Sequence, residues 1–144
     1  MSIWFNQPTL DDVNKRGENT MVPFLGIKIT EVGDDYMKAT MPVDHRTIQP
    51  LGLLHGGASC VLAESVGSIA ANYCVDHKKC FAVGLSINAS HIRSAKSGLV
   101  TATAKPFHLG KTTQVWDIKI ENEEGKLVCI SRLTMAVVEK KPNI

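Results

Sequence analysis

Residues 49–74 constrain the fold most, because QPLGLLHGGASCVLAESVGSIAANYC predicts a glycine-containing loop that opens into one long helix. Apart from His55 at its start, Glu64 is the only side chain of this helix that is expected to be charged at neutral pH. Its apolar residues recur with helical spacing, which predicts a wide face that packs against a sheet. The residues that we assign to this face are Ala58, Val61, Leu62, Ile69 and Tyr73.

Glu64 stands on a second face, where the residues at three- and four-residue spacing are small. They are Gly57, Cys60, Gly67, Ser68 and Ala71. A glycine in a helix costs about 1 kcal/mol relative to alanine, so three glycines indicate close approach by another backbone or by a ligand. Gly56 and Gly57 fall in the first turn, where backbone N–H groups lack helical partners and favour a developing negative charge. The helix therefore offers an oxyanion site at its start and a carboxylate farther along.

The distance between these two features limits how they can act together. Gly56 and Glu64 are eight residues apart, which corresponds to about 12 Å along a helix axis. An oxyanion donor and a nucleophile or base must each come within about 3 Å of the group that reacts. One helix cannot supply both. The sequence therefore predicts a dimer with two composite sites, each of which combines Gly56 of one subunit with Glu64 from an antiparallel helix of the other.

Composition narrows the class of protein. The chain has 144 residues, 44% hydrophobic and 21% charged, which predicts one globular domain over residues 1–144. A net charge of +2 without basic runs argues against nucleic acid or a membrane surface as a partner. The N-terminal residues lack the pattern of a secretory signal, so we expect a cytoplasmic protein. The four scattered cysteines form no Cys-x-x-Cys pair, which predicts reduced core thiols and no metal site.

The rest of the chain alternates strands and turns. A helix begins after Thr9, with acidic residues in its first turn, and a second helical turn is predicted within residues 19–24. Alternating apolar and polar residues predict strands at 26–32, 36–42, 80–92, 99–109, 112–121 and 127–139. The order ββαββββ predicts an α+β fold in which an antiparallel sheet wraps around one long central helix.

Four stretches of the sequence resemble a known family. They are MPVDHRTIQP, QPLGLLHGGASCVLAESVGSIA, GLSINASHIRSAKSG and HLGKTTQVW. In their order and spacing they resemble the hotdog-fold acyl-CoA thioesterases, in the branch of 4-hydroxybenzoyl-CoA thioesterases that carry the catalytic glutamate in the helix. The resemblance covers nearly the whole chain and implies a hotdog fold with a short N-terminal helix.

The resemblance also implies roles for individual residues. Glu64 would be the catalytic carboxylate, acting either as a nucleophile through a mixed anhydride or as a general base on water. Gln49, His55 and the Gly56 N–H would lie at the thioester carbonyl, and Ser68 would help to place the water or the carboxylate. The implied contacts to coenzyme A (CoA) are Gly84, His91, Ile92, Arg93, Ser94, His108, Leu109, Gly110, Lys111, Thr112 and Thr113. Arg93, Lys96 and Lys111 lie at predicted strand ends, where they could meet the phosphates of CoA.

The implied reaction is hydrolysis of an aromatic acyl-CoA to the free acid and CoA. Among substrates, 1,4-dihydroxy-2-naphthoyl-CoA of menaquinone synthesis is expected first, and broad activity on benzoyl- and medium-chain acyl-CoAs is the alternative. No cofactor is expected, since CoA is part of the substrate. The family implies a homo-oligomer that assembles as a dimer of dimers.

Two other functions compete with hydrolysis. A hotdog dehydratase would pair a histidine with an acid, but His55 and Glu64 are nine residues apart on one element and could meet only across subunits. A non-catalytic acyl-CoA-binding module would need only the CoA contacts. From the residues alone, Glu64 could also be a buried acid that is satisfied by an arginine or by backbone donors.

Overall fold

The computed structural model describes residues 1–142, in which six strands form one antiparallel sheet. Three helices accompany it: α1 at Leu10–Arg16, α2 at Met21–Phe24 and α3 at Gly56–Tyr73. The strands are β1 at Lys28–Val32, β2 at Met37–Pro42, β3 at Cys80–His91, β4 at Leu99–Leu109, β5 at Thr113–Glu121 and β6 at Leu127–Glu139. The expected α+β class and the order ββαββββ are confirmed.

The strands lie in the order β1-β2-β4-β5-β6-β3, so β1 and β3 are the two edges of the sheet. β3 is the strand that follows α3 in the chain, and it pairs only with β6 within this sheet. A β-bulge between Gly84 and Ser86 interrupts the β3–β6 pairing. The outer side of β3 is therefore open along most of its 12 residues.

The core lies between α3 and the sheet that wraps around it. Leu62, Val66 and Ala70 of α3 are completely buried, as are Trp116 and Leu133 of the sheet. Apolar burial of this kind contributes about 25 cal/mol per Å² removed from water. At Gly67 the helix touches the sheet so closely that an added Cβ would lie 2.7 Å from Leu133 Cδ2.

The predicted apolar face of α3 packs against the core, with Val61 and Ile69 at its margin, but burial also extends to the small residues on the Glu64 side. Val61 and Ile69 are only half-buried, whereas Gly67 and Ala71 are buried in the core. The reason is that the sheet curves around α3 and covers more than one face, so even small residues on the Glu64 side reach it. The half-buried Val61 and Ile69 contact the core on one side and line a groove beside Glu64 on the other.

The N-terminal segment packs against α3. Thr9 is the N-cap of α1, as predicted, and its hydroxyl accepts from the Asp12 N–H at 3.2 Å. The Tyr73 hydroxyl at the end of α3 donates to the Asp12 carboxylate at 2.8 Å. Within residues 1–142, the helices are too short or too polar to cross a membrane.

Candidate active site

The start of α3 leaves one backbone donor free. His55 is the N-cap, and its Nδ1 accepts from the Gly57 N–H at 2.8 Å. The N–H groups of Ala58 and Ser59 donate to the His55 carbonyl. Within residues 1–142 the Gly56 N–H has no acceptor. Of the two glycines expected to polarise a carbonyl, only Gly56 therefore has its N–H available.

The loop before α3 is fixed in shape by polar contacts. Arg46 clasps Asp44, with Nη2 at 2.7 Å from Oδ2 and Nε at 3.1 Å from Oδ1. These bonds hold the pKa of the Asp44 carboxyl at about 2, below its usual value. Farther along, the Gln49 N–H donates to the Leu53 carbonyl at 2.8 Å, and the Gln49 side-chain oxygen accepts from the Leu51 N–H. The loop therefore presents Gln49 in a defined position next to the helix start.

A cavity of about 290 Å³ brings several predicted residues together at this helix start. Its lining includes Gln49, Gly56 and His91, followed by Ile92, Arg93 and Ser94. A Cβ built on Gly56 would lie 2.9 Å from His91 Nε2, so the histidine ring packs directly against Gly56. Only glycine gives the ring this position without displacement. His55 is exposed and does not line the cavity, and its observed contact is the helix cap.

Glu64 lies in a different cavity. This groove of about 350 Å³ is lined by Met21 and Val22 of α2 and by Val61, Glu64, Ser65, Ser68 and Ile69 of α3. Among the residues that the structure describes, Glu64 is the only carboxylate in its lining. Its Oε1 would be 2.5 Å from a Cβ placed on Gly84, so the carboxylate rests directly against the backbone of β3. The missing side chain of Gly84 makes this position possible.

The thiol nearest to Glu64 is not an alternative nucleophile. Burial, and secondly the negative charge of Glu64, raise the pKa of the Cys60 thiol above its usual value. Burial also raises the pKa of Cys74 to about 12 and that of Cys129 to about 11. Since the thiolate is the reactive form, a raised pKa lowers the reactive fraction of each of these thiols at neutral pH. All four cysteines are free, as expected.

The Glu64 groove continues into a larger, mostly apolar cavity. This second space of about 530 Å³ lies between the N-terminal segment and α3, and Val22, Ser68 and Ile69 line both. Within residues 1–142 the Ser68 hydroxyl has no hydrogen-bond partner. A molecule that reacts at Glu64 would therefore find an adjoining apolar chamber, with one free hydroxyl at the junction.

The structure separates two sets of residues that a single site would need. Gly56 and Glu64 line different cavities, as expected from their spacing on the helix. The predicted CoA contacts are also divided along β3. His91 lies at one end of β3, where it pairs with Cys129 of β6. The 108–113 turn lies near the other end, because Thr113 and Val83 both pair with Ala136 of β6. Gly84 and His91 are about 23 Å apart along the strand.

Sequence reasoning missed Asn72, which holds α3 to the edge strand. Its Nδ2 donates to the carbonyls of Ala82 and Ser68 at 2.9 Å each, and its Oδ1 accepts from the Ala82 N–H at 2.8 Å. Asn72 therefore pairs with both backbone groups of Ala82, two residues before Gly84. The available signal was an uncharged polar residue four positions after Ser68 in an otherwise apolar helix.

Comparison with known proteins identifies the family. Residues 51–129 match the family described as Thioesterase superfamily. The chain belongs to this superfamily. It is 54% identical to a 1,4-dihydroxy-2-naphthoyl-CoA hydrolase of Escherichia coli, over 94% of this chain and 99% of that one. It is 47% identical to a proofreading thioesterase EntH of Cronobacter turicensis, over 94% and 98% of the two chains.

A solved structure shows the same fold. The crystal structure of a mutant of thioesterase PA1618 from Pseudomonas aeruginosa superposes with a TM-score of 0.95 at 50% identity, covering 96% of this chain and all of that one. The resemblance to hotdog-fold thioesterases is confirmed, and so is the class of enzyme, a thioester hydrolase. Within residues 1–142, no three His, Cys, Asp or Glu side chains are grouped so as to hold a metal ion.

Proposed function

We propose that this thioesterase hydrolyses aromatic acyl-CoAs, with 1,4-dihydroxy-2-naphthoyl-CoA as its preferred substrate. The observation that carries the proposal is the apolar chamber that opens from the Glu64 groove. Its volume of about 530 Å³ is within the usual range of about 300–1,000 Å³ for small-molecule sites. A fused aromatic ring would enter past Ile69 and place its carbonyl near Glu64. The name of the Escherichia coli relative supports the same acyl group.

A broad activity on benzoyl- and medium-chain acyl-CoAs is the second candidate. The Cronobacter relative supports this alternative to the extent that its name, proofreading thioesterase, specifies no single acyl group. A panel of acyl-CoAs, ranked by kcat/KM from release of free thiol, separates the two. We expect the dihydroxynaphthoyl thioester to lead benzoyl- and octanoyl-CoA by more than tenfold. A flat ranking would contradict the substrate preference, and an Ile69→Ala variant with an unchanged ranking would contradict the acyl chamber.

In the proposed reaction, Glu64 attacks the thioester carbonyl or activates a water molecule for the attack. The Gly56 N–H stabilises the oxyanion, with Gln49 beside it, and Ser68 binds the water or the carboxylate. No cofactor takes part. Removing a general base or nucleophile commonly costs about 10²–10⁴ in rate. Glu64→Gln should therefore lower kcat by at least 100-fold and leave the unfolding transition unchanged. Wild-type turnover by this folded variant would contradict the mechanism.

The separation of Gly56 from Glu64 requires a second subunit, and β3 offers the surface for one. An edge strand exposes unpaired N–H and C=O groups that readily pair with another chain. Asn72 already occupies the backbone groups of Ala82, so this pairing is confined to the part of β3 beyond Ala82. The segment that remains runs from Gly84 to His91.

Antiparallel pairing of this segment with its own copy would place Gly84 opposite the partner's His91. Glu64 rests against Gly84, and His91 stands over Gly56. The pairing would therefore bring Glu64 of one subunit to the free N–H of the partner's Gly56. Twofold symmetry repeats the arrangement, so the dimer has two identical composite sites.

A second contact between dimers is proposed on the other face of the sheet. Ala82 faces α3 and is buried, so its neighbours Phe81 and Val83 point away from the helix. Together with Val138, opposite Phe81, they are 38–40% exposed. We expect a homotetramer by sedimentation equilibrium, and Val83→Lys should reduce it to an active dimer. A wild-type monomer would contradict both contacts. A cytoplasmic location remains an expectation.

A further inference from the structure

Asn72 joins α3 to the edge strand β3 through the backbone of one residue, Ala82. The side-chain amide of Asn72 donates to the Ala82 carbonyl at 2.9 Å, and its oxygen accepts from the Ala82 N–H at 2.8 Å. Among the residues that the structure describes, these are the only hydrogen bonds between α3 and β3. Asn72 is half-buried and Ala82 is buried, so water competes little for these bonds. One side chain therefore forms the whole polar connection between the helix and the edge strand.

Glu64 contacts the same strand two residues farther along. Its Oε1 would lie 2.5 Å from a Cβ on Gly84, and Gly84 is about 7 Å from Ala82 along β3. Within residues 1–142 the Glu64 carboxylate forms no hydrogen bond and no ion pair that would hold it in this place. Its position against Gly84 therefore depends on how α3 lies on β3, and Asn72 fixes that arrangement.

A third hydrogen bond of Asn72 leads to the residue one turn after Glu64. The same Nδ2 that donates to Ala82 also donates to the Ser68 carbonyl at 2.9 Å. Ser68 lines the groove in which Glu64 lies. One amide group therefore binds the backbone of the groove wall and the backbone of the edge strand together, which fixes their distance on the side where the carboxylate stands.

A second asparagine makes the same pattern of bonds elsewhere in the fold. Asn14 of α1 donates to the carbonyls of Leu10 and Ile29 at 2.9 Å each, and it accepts from the Ile29 N–H at 2.9 Å. Ile29 lies on β1, the edge of the sheet opposite to β3. The pattern by itself thus ties a helix to a strand and indicates a structural role. What distinguishes Asn72 is that its strand also carries the contact with Glu64.

We propose that Asn72 is a positioning residue for thioester hydrolysis, which holds β3 at the distance from α3 at which the Glu64 carboxylate rests against Gly84. This role rests on the proposed function, since it takes Glu64 as the group that reacts. Asn72 acts through the backbone of Ala82 and takes no part in bond making or proton transfer. Without its bonds, water replaces the amide at the strand edge and the edge moves relative to the helix. A displacement of about 1 Å at a reacting group can cost about 10²-fold in rate, so kcat depends on Asn72.

Two variants separate the bonds of Asn72. Asn72→Ser keeps a hydroxyl that donates to the carbonyl four residues earlier, that of Ser68, and it loses both bonds to Ala82. Asn72→Ala loses all three bonds, and Asn72→Ser carries the test if the alanine variant does not fold. Asn122→Ala is the control, because its oxygen accepts from two backbone N–H groups at 3.0 and 2.9 Å in the turn after β5, and it lines neither the Glu64 groove nor the apolar chamber.

The assay is release of free thiol at saturating benzoyl-CoA and octanoyl-CoA, at a temperature at which each protein is folded. The kcat of both Asn72 variants should fall about 10- to 100-fold, whereas Asn122→Ala should keep wild-type kcat. Asn72 also lines the apolar chamber, so a contact with the acyl group would give losses that differ between the two substrates. Positioning of Glu64 predicts the same factor for both.

A Glu64→Ala background distinguishes positioning from a general effect on the fold. In this background Asn72→Ser should cause no further loss of rate, because the group that it positions is absent. Sedimentation equilibrium should give all variants the same assembly as wild type. Wild-type kcat in folded Asn72→Ser, a further loss in the Glu64→Ala background, unequal losses for the two substrates, or a loss that accompanies dissociation would overturn the positioning role. Wild-type turnover by Glu64→Gln would overturn the proposed function itself, whereas a loss in Glu64→Gln without one in Asn72→Ser would overturn only the role of Asn72.

Discussion

Replacing Gly84 by alanine moves the Glu64 carboxylate with little disturbance of the fold. Gly84 lies on the edge strand, and its backbone is outside the left-handed region, so alanine fits the main chain. The new Cβ would be 2.5 Å from Glu64 Oε1 and 3.5 Å from its Cδ. The atom that clashes is the end of a flexible side chain. The carboxylate therefore shifts, and the strand stays in place.

The size of the shift follows from the contact distance. Ordinary contact with a Cβ begins at 3.4 Å, so the oxygen must withdraw by about 0.9 Å. A misplacement of about 1 Å at a reacting group can cost about 10²-fold in rate. We therefore expect Gly84→Ala to lower kcat about 100-fold. The free energy of unfolding should change by less than about 0.5 kcal/mol, as for other surface substitutions.

The assay is release of free thiol from benzoyl-CoA at saturating concentration, together with urea unfolding of the same preparation. Gly17→Ala is a matched control, because its added Cβ has an ordinary contact of 3.6 Å with the Asn14 carbonyl oxygen. This control should keep wild-type kcat. The decisive comparison uses a Glu64→Ala background, in which Gly84→Ala should have no further effect on rate. Wild-type kcat in Gly84→Ala, or a further loss in the Glu64→Ala background, would refute the proposed role of the contact.

Three further predictions concern the start of α3, the loop before it and Asn72, which holds α3 to β3. Gly56→Pro removes the oxyanion N–H at a position where proline suits a helix, and His55 has the extended backbone that precedes proline. The kcat of Gly56→Pro should fall about 10²–10³-fold. Gly56→Ala keeps the N–H, so its kcat should fall less than tenfold. Equal losses of kcat in the two variants would show that the Gly56 N–H does not stabilise the oxyanion. Hydrogen bonds with Arg46 lower the pKa of Asp44 from 3.8, the value expected in the unfolded chain, to about 2. The ionised Asp44 therefore contributes fully to stability above pH 3.8, and this contribution is lost as the pH falls toward 2. Urea unfolding of Asp44→Asn should therefore show a weaker loss of stability between pH 4 and pH 2 than wild type, and parallel curves would contradict this. Asn72→Ala removes three hydrogen bonds and should lower the free energy of unfolding by about 2 kcal/mol. A change below about 0.5 kcal/mol would show that these hydrogen bonds do not stabilise the fold.

The start of α3 and the order of the strands could be predicted because their signals are local. Gly56 and Gly57 mark a helix start within a few residues, and alternation marks each strand on its own. The 12 Å separation of Gly56 from Glu64 also needs only the helix rise. These local features were enough to predict the order of helices and strands along the chain and the need for a site built from two subunits.

The orientation of the helix could not be predicted, because it depends on how far the sheet curves. Val61 and Ile69 look like core residues by spacing, yet they line the Glu64 groove. The same limit applies to the acyl chamber, whose walls come from α1, α2, β1 and α3. Helical periodicity identifies an apolar face but does not show what covers it.

A cavity of about 1030 Å³ that is lined by Lys78, Lys79 and Lys140 shows the limit set by long-range strand pairing. Lys78 and Lys79 precede β3, and Lys140 follows β6, about sixty residues later. Only the antiparallel pairing of Cys80 with Glu139 brings them to one place. In the sequence, Lys78-Lys79 and Lys140-Lys141 each look like ordinary charged residues on the surface.

The shared active site is tested most directly by mixing two inactive variants. Glu64→Ala keeps an intact helix start, and Gly56→Pro keeps an intact carboxylate. After the subunits are unfolded and refolded together in equal amounts, half of the dimers should be mixed, and each mixed dimer has one complete site. We expect the mixture to recover about a quarter of wild-type kcat per subunit pair. A mixture that stays as inactive as its two parents, although mass spectrometry shows mixed dimers, would contradict a site built from two subunits.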